Sequence, residues 1–159
     1  MTRGSRIYRS LSLLLLSGIV SACATTEPAP SLYQRLTVID ATGTPQGGRA
    51  AIALMVDDFV ANLVADPRVN KRFTSLQPAA VTKLKSDLAD QICEATGGPC
   101  SYLGRDMKTT HTGMGITEAE WNATVEDLVK ALDKHKIGAK EKSELLGILG
   151  PMKGEIVGR

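Results

Sequence analysis

Four stretches of the chain repeat apolar residues at spacings of three and four, the pattern of a helix that buries one face. Over residues 48–65 the set is Ile52, Met55, Val56, Phe59, Val60, Leu63 and Val64, with Asp57 and Asp58 opposite. Gly47-Gly48 opens this stretch and Asp66-Pro67 closes it. Residues 78–95 begin at Pro78, whose fixed φ suits a first helical turn, and carry Val81, Leu84, Leu88 and Ile92 before Gly97-Gly98-Pro99. Residues 118–134 follow Thr117, with Glu120 three positions later as a capping box, and stripe Trp121, Val125, Leu128, Val129 and Leu132. Residues 139–157 carry Leu145, Leu146, Ile148, Leu149, Met152 and Ile156, with Gly150-Pro151 predicting an interruption.

Alternation of the strand type is confined to residues 36–40, LTVID, which is short. The fold class read from this pattern is all-α. The second and third helices are joined by a long irregular segment, residues 99–116, with Gly104, Gly113 and Gly115 inside it. A connection of that length in a compact domain is usually functional.

At 159 residues and 43% apolar content the chain suffices for one globular domain with a real core. Aromatics are only 4%, so any ligand pocket leans on Leu, Ile, Val and Met. The formal charge of +2 arises at the N-terminus, where Arg3, Arg6 and Arg9 occur without an acid. Without residues 1–22, sixteen basic residues face seventeen acidic ones. A near-neutral body argues against nucleic acid as a partner, which needs a basic face.

The same residues 1–22 read as a secretory signal: three arginines, an apolar run from Leu11 to Val20, then the small residues Ser21 and Ala22. The run is about half of what a membrane span needs. Val20-Ser21-Ala22-Cys23 resembles the lipobox of bacterial lipoproteins, which implies lipidation of Cys23 after cleavage and attachment to a membrane. Ala24 after it fits an outer-membrane destination on the periplasmic side. Residues 23–31 then read as a Pro- and Thr-rich tether, and residues 32–159 as the domain. With Cys23 used, Cys93 and Cys100 are left either as a disulfide closing a small loop or as two free thiols.

Chemistry is concentrated at one position. Of two histidines, His135 follows Asp133-Lys134 near a helix C-terminus and reads as a solvated surface group. His111 lies in Met107-Lys-Thr-Thr-His111-Thr-Gly-Met-Gly-Ile116, just before the third helix. A lone histidine builds no zinc site. It can serve haem iron, because the porphyrin supplies the equatorial nitrogens and one axial protein ligand completes the attachment. The residues alone leave that reading beside a capping or loop histidine.

From about Ser31 onward the chain resembles the group 1 truncated haemoglobins, which carry a two-over-two helical sandwich. The resemblance rests on Tyr102-x-Gly104-x-x-Met107-Lys108 followed by His111-x-Gly113-x-Gly115-Ile116-Thr117, with Asp58-Phe59, Phe73, Gly97-Gly98-Pro99 and Leu146-Gly-Ile-Leu-Gly-Pro151 in order. It implies haem b (iron protoporphyrin IX) as cofactor and His111 as the proximal iron ligand. Phe73, Leu84, Leu88, Tyr102, Met107 and Ile116 then contact the haem. Val60, Leu84 and Leu88 form the distal pocket, with Gln91 as its nearest polar group. Where the family runs Leu-Tyr-x-x-Leu-Gly-Gly, residues 37–46 are inserted here and predict a loop at the first turn. Members that hold dioxygen tightly place a tyrosine and a glutamine where this chain has Val60 and Leu88.

The implied function is binding of dioxygen, nitric oxide or carbon monoxide at pentacoordinate haem. The alternatives are a haem enzyme, dioxygenating nitric oxide or acting as a peroxidase, and a haem-free interaction module of the cell envelope. Enzyme action needs a reductant or an acid–base group beside the iron, and neither is evident in the distal residues. No redox partner is legible.

Overall fold

The computed structural model describes residues 28–159, so the readings made for the signal, for Cys23 and for most of the tether fall outside the described residues. Ser31, expected to end the tether, instead caps α1 (Leu32–Arg35) through a reciprocal box with Gln34 and so belongs to the folded body. Arg35 in that helix reaches the carboxylates of Glu141 and Glu144 far along the chain.

The inserted segment corrects the expectation of a loop. It is a hairpin of β1 (Thr37–Ile39) and β2 (Pro45–Gly47), antiparallel with Val38 opposite Gln46. Asp40 Oδ1 closes its turn by accepting the Thr42 and Thr44 amides at 2.9 and 3.0 Å, and Gly43 takes φ +83°. The buried Val38 pegs the hairpin to the core.

α2 (Gly48–Ala65) begins at a residue with φ +57°, and a Cβ there would lie 2.6 Å from the Tyr33 hydroxyl. Glycine is therefore required on two counts. α2 is flanked by α3 (Pro78–Ala95) and α5 (Glu118–Lys134), and it also touches α1 and the hairpin. Its Ile52, Met55, Val56, Phe59, Val60 and Leu63 are all buried, as the three-and-four spacing requires.

The Thr117–Glu120 capping box starts α5 as expected. α6 (Ala139–Leu149) ends where Gly150–Met152 tightens into a 3₁₀ turn at Pro151, and α7 (Lys153–Ile156) follows. The segment 99–116 is less irregular than its sequence suggests. Asp106 accepts the Thr109 amide at 2.8 Å and caps α4 (Met107–His111), so His111 ends a helix. Cys93 and Cys100 are bonded as a disulfide that fastens the end of α3 to the start of this segment.

His135 is a second correction. It is the C-cap of α5, with its side chain only 11% exposed and Nε2 2.8 Å from Asp58 Oδ2 on α2. Lys134 takes the other oxygen of Asp58 at 2.6 Å. Burial raises the Asp58 carboxyl pKa, but the hydrogen bonds from Lys134 and His135 together outweigh it and leave the pKa lowered. The sequence hides this because the helix-opposite position of Asp58 faces the end of α5 rather than water. Among the described residues no helix is long and apolar enough to cross a membrane.

Candidate functional site

A cavity of about 730 Å³ opens between α3, α4 and α5. α3 lines it with a stripe at spacings of three and four: Ala80, Lys83, Leu84, Asp87, Leu88 and Gln91. Phe73 and Leu76 close the turn side, Trp121 and Thr124 come from α5, and Ile156 comes from α7. Six of the seven residues expected at a haem or ligand there, Phe73, Leu84, Leu88, Tyr102, Met107 and Ile116, line this one cavity together with His111, as does Gln91. Val60 does not. It is 2% exposed inside the core cluster, because its place on α2 is covered by neighbouring core residues and does not reach the cavity wall.

His111 Nδ1 lies 2.8 Å from the Met107 carbonyl oxygen. A carbonyl only accepts, so Nδ1 carries the proton and Nε2 is left as the lone-pair nitrogen. Nε2 has no hydrogen bond among the described residues. The turn after His111 is held from the chain's last described segment. The Gly115 amide donates to the Arg159 carbonyl at 2.6 Å, the Gly158 amide donates to the Ile116 carbonyl at 2.8 Å, and Ile116 bridges Val157.

The Tyr102-x-Gly104 spacing has a steric cause. The Tyr102 ring packs directly over residue 104, where any Cβ would fall onto it. Its hydroxyl donates to the Arg105 carbonyl at 2.8 Å. Burial, with Asp87 nearby, raises the Tyr102 pKa, so the phenol is neutral. Leu103 stands at the rim, 92% exposed.

None of the charged lining residues was legible as a site residue. Arg72 donates to both oxygens of Glu120, at 2.9 and 3.1 Å, and to the Met114 carbonyl at 2.7 Å. The Arg72 guanidinium first, then the Thr117 amide, hold the Glu120 carboxyl down at about 2. Glu120 announces itself in sequence only as half of a capping box, and Arg72 has no local signal. At the mouth, Lys83 pairs with Asp87 at 2.6 Å.

A family model described as a bacterial-like globin matches residues 45–157. The group 1 truncated haemoglobin of Mycolicibacterium paratuberculosis is 31% identical over 130 residues, covering 82% of this chain and 85% of that protein. That of Chlamydomonas moewusii is 27% identical over 149 residues, with coverage of 87% and 78%. Among solved structures, the Q46E variant of the truncated haemoglobin of Tetrahymena pyriformis superposes with a TM-score of 0.71 at 22% identity, over 82% of this chain and all (100%) of that one. The 2/2 haemoglobin of Synechococcus, solved in a cyanomet state with covalently attached haem, gives 0.68 at 29% identity with the same coverage.

Proposed function

The chain belongs to the bacterial-like globin family, in its truncated branch, and on that premise we propose that it holds haem b in the cavity lined by His111 and binds a diatomic gas there. One observation carries the reading. In a mainly apolar cavity stands one imidazole whose Nδ1–H is spent on the Met107 carbonyl and whose Nε2 has no hydrogen-bond partner among the described residues. That is the state in which a histidine ligates a metal, with the second nitrogen fixing ring orientation and tautomer. The cavity volume of about 730 Å³ lies in the range of cofactor sites.

When bound, haem supplies an iron centre that coordinates a gas reversibly. The remaining work falls to the chain. Phe73, Leu84, Leu88 and Trp121 give the cavity an apolar wall against which a porphyrin can pack. Arg105 at its lining offers a cationic group to the carboxylates that haem b carries. Leu84 and Leu88 offer no hydrogen bond to a gas ligand. A donor to a ligand with negative character is worth about 1.5–3 kcal/mol. Dioxygen therefore binds weakly, and carbon monoxide and nitric oxide, which depend less on a donor, bind better relative to it.

A peroxidase-like reaction is disfavoured by the state of the acids. Glu120 is locked to Arg72 with its pKa at about 2 and is not poised for proton transfer near neutrality, and Asp87 is occupied by its pairing with Lys83. The same proposal keeps the protein at a membrane surface, lipidated at Cys23, in the periplasmic leaflet environment of the outer membrane. The support is the sequence of residues 1–24 alone.

The test is optical. The reduced, haem-loaded protein is expected to show a pentacoordinate ferrous spectrum that sharpens on adding carbon monoxide. Absence of stoichiometric haem uptake would return His111 to an ordinary helix-end histidine and favour the interaction-module alternative.

A further inference from the structure

Of the α3 side chains that line the cavity, Gln91 is the one that is polar without being charged. Its amide is not aimed at its neighbours on the wall. Nε2 lies 3.7 Å from the sulfur of Met152. Met152 sits in the 3₁₀ turn where Pro151 interrupts the C-terminal helices, and it is not itself part of the cavity lining. The break in the helix thus presents a thioether to the end of the distal stripe.

Three of the neighbouring donors are committed elsewhere. The Thr124 hydroxyl donates to the Glu120 carbonyl at 2.9 Å, the Tyr102 hydroxyl to the Arg105 carbonyl at 2.8 Å, and Lys83 to Asp87. The Gln91 amide differs from these because its partner is poor. A thioether sulfur is a weak acceptor, whereas a diatomic ligand that has gained negative charge is a strong one. The glutamine side chain needs only rotamer changes to exchange them.

We propose that Met152 is a positioning residue for Gln91: by holding the amide against the C-terminal turn it sets how much hydrogen-bond donation the cavity offers, and so sets the preference between dioxygen and carbon monoxide. The proposal rests on the gas-binding reading. It also gives the Pro151 turn a role in ligand discrimination, since moving the turn moves the sulfur.

The experiment compares the haem-loaded wild type with Met152→Leu, Gln91→Leu and the double variant, each checked for an unchanged thermal transition. The substitution at 152 conserves volume, so the core is disturbed little. The readouts are the carbon monoxide stretching frequency by infrared spectroscopy and the dioxygen dissociation rate. Freeing the amide is expected to lower the stretching frequency in Met152→Leu and to slow dioxygen dissociation roughly two- to fivefold, the scale of one neutral hydrogen bond. Gln91→Leu shifts both the other way, and the double variant matches Gln91→Leu. The proposal is overturned if Met152→Leu leaves both readouts at wild-type values, or if its effect persists without Gln91. If the haem-loaded wild type forms no carbon monoxide complex at all, the gas-binding reading itself fails first, and that result is distinct from either of these.

Discussion

His111 Nδ1 and the carbonyl oxygen of Met107 stand 2.8 Å apart, one turn of α4 from each other. The five-residue helix is therefore the device that presents Nε2. Asp106 caps its start, and the strap formed by Gly158 and Arg159 fixes the turn beyond its end. His111→Gly is expected to lose stoichiometric haem binding while keeping its helical circular dichroism, and free imidazole is expected to restore the haem spectrum. Titrating haem into the variant with and without imidazole checks this, and full uptake without imidazole would refute the ligand assignment.

A second expectation concerns acid stability. The Glu120 carboxyl is lowered from 4.5 to about 2 in the folded protein by Arg72 and the Thr117 amide. A depressed acid contributes stability that is complete above its unfolded pKa and is lost as pH falls through the folded value. The loss therefore runs from about pH 4.5 down to about 2. Glu120→Gln is expected to cost about 1–3 kcal/mol at pH 7 and progressively less below pH 4. Urea unfolding of both proteins across pH 3–7 measures the difference, and a gap independent of pH would contradict it.

The disulfide gives a third. Cys93 and Cys100, seven positions apart, hold the start of the segment that carries Tyr102 to the end of α3. Closing so short a loop contributes about 2–3 kcal/mol in the chain-entropy account. Cys93→Ala with Cys100→Ala should lower the unfolding free energy by that amount and speed haem loss to an acceptor protein. Unchanged haem retention would show that the segment is held by Tyr102 and Asp106 alone.

Gly104→Ala is the steric counterpart. A Cβ there meets the Tyr102 ring, so the ring must leave its place over residue 104 and its hydroxyl must release the Arg105 carbonyl. Haem affinity is expected to fall about tenfold or more for the loss of that packing and hydrogen bond together. Haem titration by absorbance measures it.

The helices were legible because each long one carries its own punctuation: Pro78 and Gly97 around α3, Thr117 and Glu120 at the start of α5, Pro151 after α6. α4 was not, since five residues hold too little periodicity to register. Phe73, Leu84, Leu88, Met107, Ile116 and the histidine could be named from family motifs, yet other apolar lining residues such as Leu76 and Trp121, and the pair Arg72 and Glu120, could not. Their pairing joins residues forty-eight positions apart, and no local pattern encodes such a contact. Val60 and His135 misled for one reason. A helical period fixes which face a residue occupies but not which partner covers that face: Val60 is sealed in the core, and His135 is drawn onto Asp58.

The enclosure of α2 between α3, α5 and the hairpin has an evolutionary corollary. The buried face of a helix packed against several elements tolerates few substitutions, because each change of volume is felt by several partners. The α3 stripe and the Pro151 turn face open volume on one side and are freer to drift. Diversification of ligand preference within this lineage should therefore accumulate at positions such as 84, 88, 91 and 152, while the buried face of α2 changes little. A library randomised at those four positions should yield many folded proteins of differing gas preference, where one of equal size on the buried face of α2 yields few.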